Sequence, residues 1–184
     1  MIRGTDTVLS GANVRLRHPN WADFDDWVRA RFQSRAELAR WEPDWDDNIA
    51  DRRLYKHRLN IYRRFAGAGT AYPFHVFDAS GQLVGGCNLA DIKRQVARSA
   101  QIGYWIATPH TRRGYGLEAV RLVTDFAFAG LGLHRLEAAV QDTNHASTGL
   151  LTKAGYRSEG LARGYLRIGE DWVDHRIWAK LSSD

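Results

Sequence analysis

From about residue 101 to residue 129 the chain passes from a strand-like run, through a basic loop bearing two glycines, into an apolar helix. This passage limits the fold more than any other stretch. Residues 101–107 are rich in Ile, Tyr and Trp, side chains that suit a pleated, half-buried surface. Arg112-Arg113-Gly114-Tyr115-Gly116 follows, and the spacing predicts a helix over residues 116–129 with Val120, Val123, Ala127 and Phe128 among its apolar positions. The first N–H groups of a helix lack internal partners and carry the positive end of its dipole. Glycines let the backbone approach phosphate oxygens closely, and arginines add charge. The loop therefore reads as a pyrophosphate cradle, or more plainly as a turn that uses glycine to enter a helix. It fits neither Gly-x-x-x-x-Gly-Lys-[Ser/Thr] nor Gly-x-Gly-x-x-Gly after an early strand.

The elements around this passage mix helices and strands without strict alternation. Residues 13–17 alternate as a short strand. Asn20 can cap a helix whose stripe is Trp21, Phe24, Trp27, Val28 and Phe32. A second stripe, Leu54, Tyr55, Leu59, Tyr62 and Phe65, runs to a stop at Gly67-Ala68-Gly69. Between them lies a loop over residues 40–47 with two tryptophans, Trp41 and Trp45, and four acids. Residues 72–77 and 83–89 flank turn chemistry and read as a hairpin. Residues 136–141 form a further strand, 147–154 a short helix, and 156–168 and 172–181 two late strands. The order predicts an α+β protein with a mixed sheet of about seven strands flanked by helices.

Length and composition narrow the function classes. A chain of 184 residues, 44% of them hydrophobic, is expected to form one domain over residues 1–184 and to need no metal or disulfide staple. The single cysteine, Cys87, excludes an internal disulfide framework and a multi-cysteine zinc site. Seven histidines form no His-x-His or His-x-x-x-His pair, so no metal is expected. The longest apolar uncharged run, residues 126–133, is far short of a membrane span, and the first residues lack a signal-peptide core. A cytoplasmic protein that does not engage membranes is expected. The formal charge of +5 favours an acidic partner: a polyphosphate cofactor, nucleic acid or a ribonucleoprotein surface. A solvated arginine-rich surface would give the same balance.

A second constellation, residues 142–160, contains Asn144, which can cap a helix, Ser147 in its first turn, and Gly155 as a stop before a strand. With the loop, this segment resembles the GNAT superfamily of acetyl-coenzyme A-dependent N-acetyltransferases. The closest likeness is to the RimJ/RimL branch, which acetylates the N-terminal amine of ribosomal proteins. The superfamily pattern [Gln/Arg]-x-x-Gly-x-[Gly/Ala] is met by Thr111-Arg112-Arg113-Gly114-Tyr115-Gly116. The branch pattern continues in Glu118-Ala119-Val120, Leu133-His134-Arg135-Leu136-Glu137-Ala138, Asn144-x-x-Ser147, Lys153-Ala154-Gly155-Tyr156, Glu159-Gly160 and the run from Arg163 to His175. Upstream, Trp41-Glu42-Pro43 and Tyr72-Pro73-Phe74 also match. Two positions depart: Thr111 stands where Gln or Arg is usual, and Leu151 where many members carry a tyrosine general acid.

The resemblance implies a GNAT-type, mostly antiparallel sheet with two splayed strands that receive the pantetheine arm of acetyl-CoA. It implies direct transfer of acetyl to a primary amine in a ternary complex. By the same resemblance, a backbone N–H near Trp105 and Ile106 meets the thioester oxygen. Thr111, Arg112, Arg113, Gly114, Gly116 and Leu117 surround the pyrophosphate, and Asn144 holds the pantetheine arm. Ser147 would supply a proton to the departing thiolate, and Glu159 would receive the amine proton through water. Both residues also fit ordinary first-turn and surface positions. Trp41 and Trp45 are expected to wall the acceptor side, where nearby acids could attract a cationic peptide or amine.

The acceptor expected from the branch is the N-terminal amine of a ribosomal or other cytosolic protein, with no direct nucleic-acid requirement. A homodimer would fit the branch. Two alternatives stand beside this: a small-molecule amine acetyltransferase, and a non-catalytic RNA- or ribosome-binding module. The last lacks an interleaved aromatic and basic single-strand motif.

Overall fold

The computed structural model describes residues 4–42 and 48–184. Among the described residues eight strands form one sheet: β1 (Val8–Ser10), β2 (Val14–Arg17), β3 (Tyr72–Asp78), β4 (Leu83–Lys93), β5 (Ser99–Ile106), β6 (Arg135–Val140), β7 (Arg157–Ile168) and β8 (Asp171–Leu181). Their order is β1-β2-β3-β4-β5-β6-β8-β7, and every neighbouring pair is antiparallel except β5 with β6. Seven strands match the sequence expectation. The eighth, β1, has three residues and largely exposed side chains, so it carries no periodic signal.

Helices cover both faces. On one side lie α1 (Phe24–Gln33), the short α2 (Arg35–Leu38) and α3 (Arg52–Ala68). Asn20 caps the single turn that leads into α1, its side chain accepting from the Ala22 N–H at 2.9 Å. Gly69 ends α3 in the left-handed conformation at φ 68°, which glycine adopts without a Cβ penalty. Phe24, Trp27, Tyr55 and Leu59 from these helices bury against Phe77 and Leu83 of the sheet. On the other side, α4 (Tyr115–Asp125) and α5 (His145–Lys153) pack Val120, Val123 and Leu151 against Phe74, Val76, Leu89, Ile102 and Leu136. The helix expected to run to residue 129 changes to a π-type turn at Phe126–Gly130.

The feature that positions the site is the seam between β5 and β6. Their pairing covers only Ser99↔Arg135, Ala100↔Leu136 and Gln101↔Glu137. Beyond that point β5 stays with β4, as far as Ile106↔Gly85, while β6 stays with β8, as far as Val140↔Arg176. The strands diverge, so alternate backbone groups along each facing edge have no strand partner across the seam. The closed end is held by Leu136, which is fully buried in the core.

Candidate active site

The mouth of the seam is built by the two loops singled out in the sequence. After β5 a short turn, Thr108–His110, leads to Thr111, whose Oγ1 donates to the Thr108 carbonyl at 3.0 Å. Thr111 therefore holds the turn with its side chain and leaves its neighbours to face outward. Arg112 adopts φ 61° and Gly114 φ 85°. Two left-handed residues so close together fold the loop tightly into the N-terminus of α4, with Gly114 as its cap. The first bond within α4 runs from the Glu118 N–H to the Gly114 carbonyl at 3.1 Å. The amides of Tyr115, Gly116 and Leu117 thus precede the helical ladder. Gly116 is buried, and a Cβ there would stand 2.9 Å from Leu150 Cδ1 and 3.2 Å from Ile106 Cγ1. Glycine lets α4, α5 and the end of β5 meet here without displacing either side chain. Exposed Arg112 and Arg113 complete a cationic, amide-lined concavity that fits a pyrophosphate.

The Asn144 side chain accepts from the Ser147 N–H at 3.0 Å and so caps α5. The cap places Ser147 Oγ 2.7 Å from the Tyr104 hydroxyl, which also reaches the Ser147 carbonyl at 3.4 Å. Tyr104 projects from β5 in the splayed stretch and is half-buried against the core. Burial pushes its phenol well above the usual tyrosine range, despite the Ser147 bond, so it stays protonated. Sequence reasoning missed Tyr104. The clue was available: Leu151 removes the usual hydroxyl from α5, and Tyr104 is a phenol on the strand facing α5.

Glu159 lies elsewhere in the network. Both its oxygens are engaged by the Arg135 guanidinium, the Oε1 contact at 2.9 Å, and Arg135 also donates to Glu137 Oε1 at 2.7 Å. The Arg135 bond holds the Glu159 carboxyl below its ordinary range, so the group is charged but weakly basic. Arg135 pairs with Ser99 at the closed end of the seam, whereas Tyr104 and Ser147 stand toward its open end. The structure thus joins Asn144, Ser147 and Tyr104, and sets Glu159 in an ion pair with Arg135.

On the opposite sheet face, a cavity of about 200 Å³ opens beside β5. Trp105 forms one wall; Trp27 and Arg31 from α1, and Arg58 and Tyr62 from α3, form others. The floor is Gly86 and Asn88 of β4, with His75 of β3 at the far side. Glu42, at the rim, is held by both terminal nitrogens of Arg31, one of them at 2.6 Å. Trp41 is half-buried and donates from Nε1 to Glu37 at 3.1 Å, under the Arg40 guanidinium. It does not line this cavity. Trp45 lies outside the described residues. The tryptophans facing the cavity are Trp27, expected in the sequence as part of a helix stripe, and Trp105, expected only for its backbone.

Comparison with known proteins agrees with this architecture. The Acetyltransferase (GNAT) domain family matches residues 13–157. A Bacillus subtilis (strain 168) protein named "Probable N-acetyltransferase YjcK" is 39% identical over 178 residues, covering 96% of this chain and 98% of that protein. The Escherichia coli (strain K12) [ribosomal protein uS5]-alanine N-acetyltransferase is 29% identical over 174 residues, 93% of this chain and 88% of that enzyme. Among solved structures, Mycobacterium smegmatis RimJ in complex with CoA-disulfide superposes with a TM-score of 0.93 at 29% identity, covering 100% of this chain and 91% of that one.

Proposed function

This chain belongs to the GNAT acetyltransferase family, and from that premise we propose that it transfers the acetyl group of acetyl-CoA to the N-terminal α-amine of a cytosolic protein, a ribosomal protein foremost. The observation that carries the reading is the seam between β5 and β6, which opens between an amide-lined, arginine-bearing loop and the Tyr104–Ser147 hydroxyl pair. Likeness to the uS5-alanine enzyme and to RimJ along nearly the whole chain supports the acceptor class.

When bound, acetyl-CoA supplies an activated acetyl group on a thioester. The amides of Tyr115, Gly116 and Leu117, with Arg112 and Arg113, hold its pyrophosphate. The splayed backbone near Trp105 and Ile106 and the Asn144 amide hold the pantetheine arm. The Ser147 hydroxyl relays to the leaving sulfur the proton that the acceptor nitrogen sheds as the C–N bond forms, and the Tyr104 hydroxyl, which burial keeps protonated, holds Ser147 Oγ in place. Glu159, paired with Arg135 at the closed end of the seam, is charged but weakly basic and stands apart from the acceptor cavity. The cavity beside Trp105 receives the terminal residue of the acceptor. An α-amine, with pKa about 7.7–8.0, is already partly neutral at pH 7, whereas a lysine near 10.4 is not. A site with modest acid–base equipment is matched to the former. With such an acceptor the protein acts in the cytoplasm.

Incubating the protein with acetyl-CoA and a whole-cell protein extract, then mapping new acetyl groups by mass spectrometry, tests this. New acetylation confined to protein N-termini is the expected result. New acetylation only on small amines would move the assignment to a small-molecule acetyltransferase, and none on any amine would overturn it.

A further inference from the structure

A buried ionic joint lies behind the cavity wall. Asp23, 4% exposed, accepts from Arg17 at 2.9 and 2.5 Å and from the Asn20 N–H at 2.9 Å. Burial alone would raise its carboxyl, but the bonds from His75 and Arg17 hold it well below the usual range. The remaining contact is His75 Nδ1, 3.0 Å from Asp23 Oδ2. An ionised carboxylate can only accept, so Nδ1 carries the hydrogen and the neutral ring keeps its lone pair on Nε2. A joint between β2, β3 and α1 would account for Arg17 and Asn20. It does not account for an imidazole at the third position, 5% exposed and lining the cavity.

Strand register sets that imidazole in line with Trp105 of the splayed strand. His75 pairs with Gly86, and Gly86 with Trp105, so the three form one row across β3, β4 and β5. Neighbouring strands are about 4.8 Å apart. The middle position has no side chain, and a Cβ there would come within 2.6 Å of Trp105 Nε1. The glycine makes room for the Trp105 indole, which lies over Gly86 in the row that ends at His75. Among the described residues, two other candidate bases, Glu42 at the cavity rim and Glu159, are both bound by arginines.

We propose that His75 is the general base for the acceptor amine and Asp23 its positioning residue, an inference that rests on the acetyltransferase reading of the site. His75 Nε2 takes one proton from the acceptor ammonium, directly or through one water. The neutral amine then has the lone pair that forms the new C–N bond as the C–S bond breaks, and His75 afterwards releases its proton to solvent. Asp23 fixes the tautomer, as the second-nitrogen partner of a working histidine does. The charged and titratable groups around the ring are Asp23, Arg17 beside it, Arg58 of α3, and His18, itself next to Arg63. Burial, Arg17 and Arg58 oppose a positive ring, and Asp23 favours one. The balance keeps His75 neutral near pH 7, the form a base requires.

The test compares the native protein with His75→Gln and Asp23→Asn, using alanine- and serine-initiated hexapeptides and spermidine as acceptors, from pH 6 to 9. General-base assistance is typically worth about 10²–10⁴ in rate, so His75→Gln should lose that factor in kcat at pH 6.5 and recover toward pH 9. Its coenzyme A affinity, by calorimetry, should be unchanged. Asp23→Asn should shift the acidic limb of the pH profile. Nitrogen-15 spectra of the native protein, with the His75 signals assigned by their absence in His75→Gln, should show a hydrogen on Nδ1. This readout needs no turnover. A His75→Gln rate within threefold of native at pH 6.5, an equal loss at every pH, or a hydrogen on Nε2 would each overturn the proposal. Native turnover with none of the acceptors would instead overturn the acetyltransferase reading, and this inference with it.

Discussion

Replacing Arg17 by methionine isolates what its charge does for Asp23. Methionine keeps an unbranched apolar stem able to lie against Phe77, over whose ring the guanidinium sits at 4.3 Å. The Asp23 side chain, 3% exposed, would lose two of its charged bonds, while the Asn20 and His75 bonds stay. Breaking a buried pair from one side costs about 3–5 kcal/mol, because the other charge is left in a poor medium. The Arg17 side chain is 29% exposed, so water can reach part of the vacated site and the low end, about 3 kcal/mol, applies. For a chain of this size each kcal/mol moves the melting temperature by about 2–4 °C, giving a fall of roughly 6–12 °C. Thermal denaturation followed by circular dichroism at pH 7.5 measures it. A double-mutant cycle with Asp23→Asn should show the two losses far from additive, since each removes the same contact. A fall of less than about 2 °C in Arg17→Met would refute the account of Asp23 as a buried charge dependent on Arg17.

Other outcomes follow from the same geometry. Gly114→Glu should abolish coenzyme A binding by calorimetry: a Cβ there meets nothing within 4 Å, so the protein has room for it, but φ 85° strains the residue and the carboxylate repels a pyrophosphate. Cys87→Ala should leave turnover close to native, because burial pushes the Cys87 thiol far above its ordinary range and away from the nucleophilic thiolate; a loss of more than about 100-fold with intact stability would point to an acyl-enzyme. Burial is the largest cause lowering both His18 and His75, so below about pH 6.5 the unfolded chain binds protons that the native chain does not. Stability present above that pH should fall as the pH drops toward their folded values, by up to about 1.4 kcal/mol per pH unit for each histidine. Urea titrations at pH 7.5, 6.5 and 5.5 check this, and equal stabilities at all three would refute it.

The strands from β2 onward were legible because their apolar runs are bounded by turn residues, as at Asp78-Ala79-Ser80-Gly81 between β3 and β4. The cofactor-side loop was legible because glycine and arginine at a strand-to-helix junction have a local physical meaning. Asn144 and Ser147 were legible for the same reason, as a cap and its first turn. Glu118, part of the family pattern, proved to serve the packing of the fold. It accepts from Asn13 N at 3.0 Å and Asn13 Nδ2 at 3.1 Å, docking α4 on the turn after β1. The acceptor side was scarcely legible. Its cavity gathers residues from α1, α3, β3, β4 and β5, and no short spacing encodes that convergence. The Arg135–Glu159 pair was hidden likewise, since strand order β6-β8-β7 sets the two a strand apart although 24 residues separate them. Asp23 and His75, 52 residues apart, give no local signal at all.

The divergence of β5 from β6 also bears on self-association. A row of unpaired N–H and C=O groups at the margin of a sheet invites other chains to add strands. Here such rows face each other inside the sheet, between Ile102–Ile106 and Ala138–Val140, with α4 and α5 across one end. A foreign polypeptide would have to enter edgewise between two strands already fixed to β4 and β8. A thin, extended molecule bearing its own amides meets no such obstacle and can bond to both rows at once. Its binding would knit the halves of the sheet together, so slowed hydrogen exchange should appear on both flanks of the opening and not at its joined end.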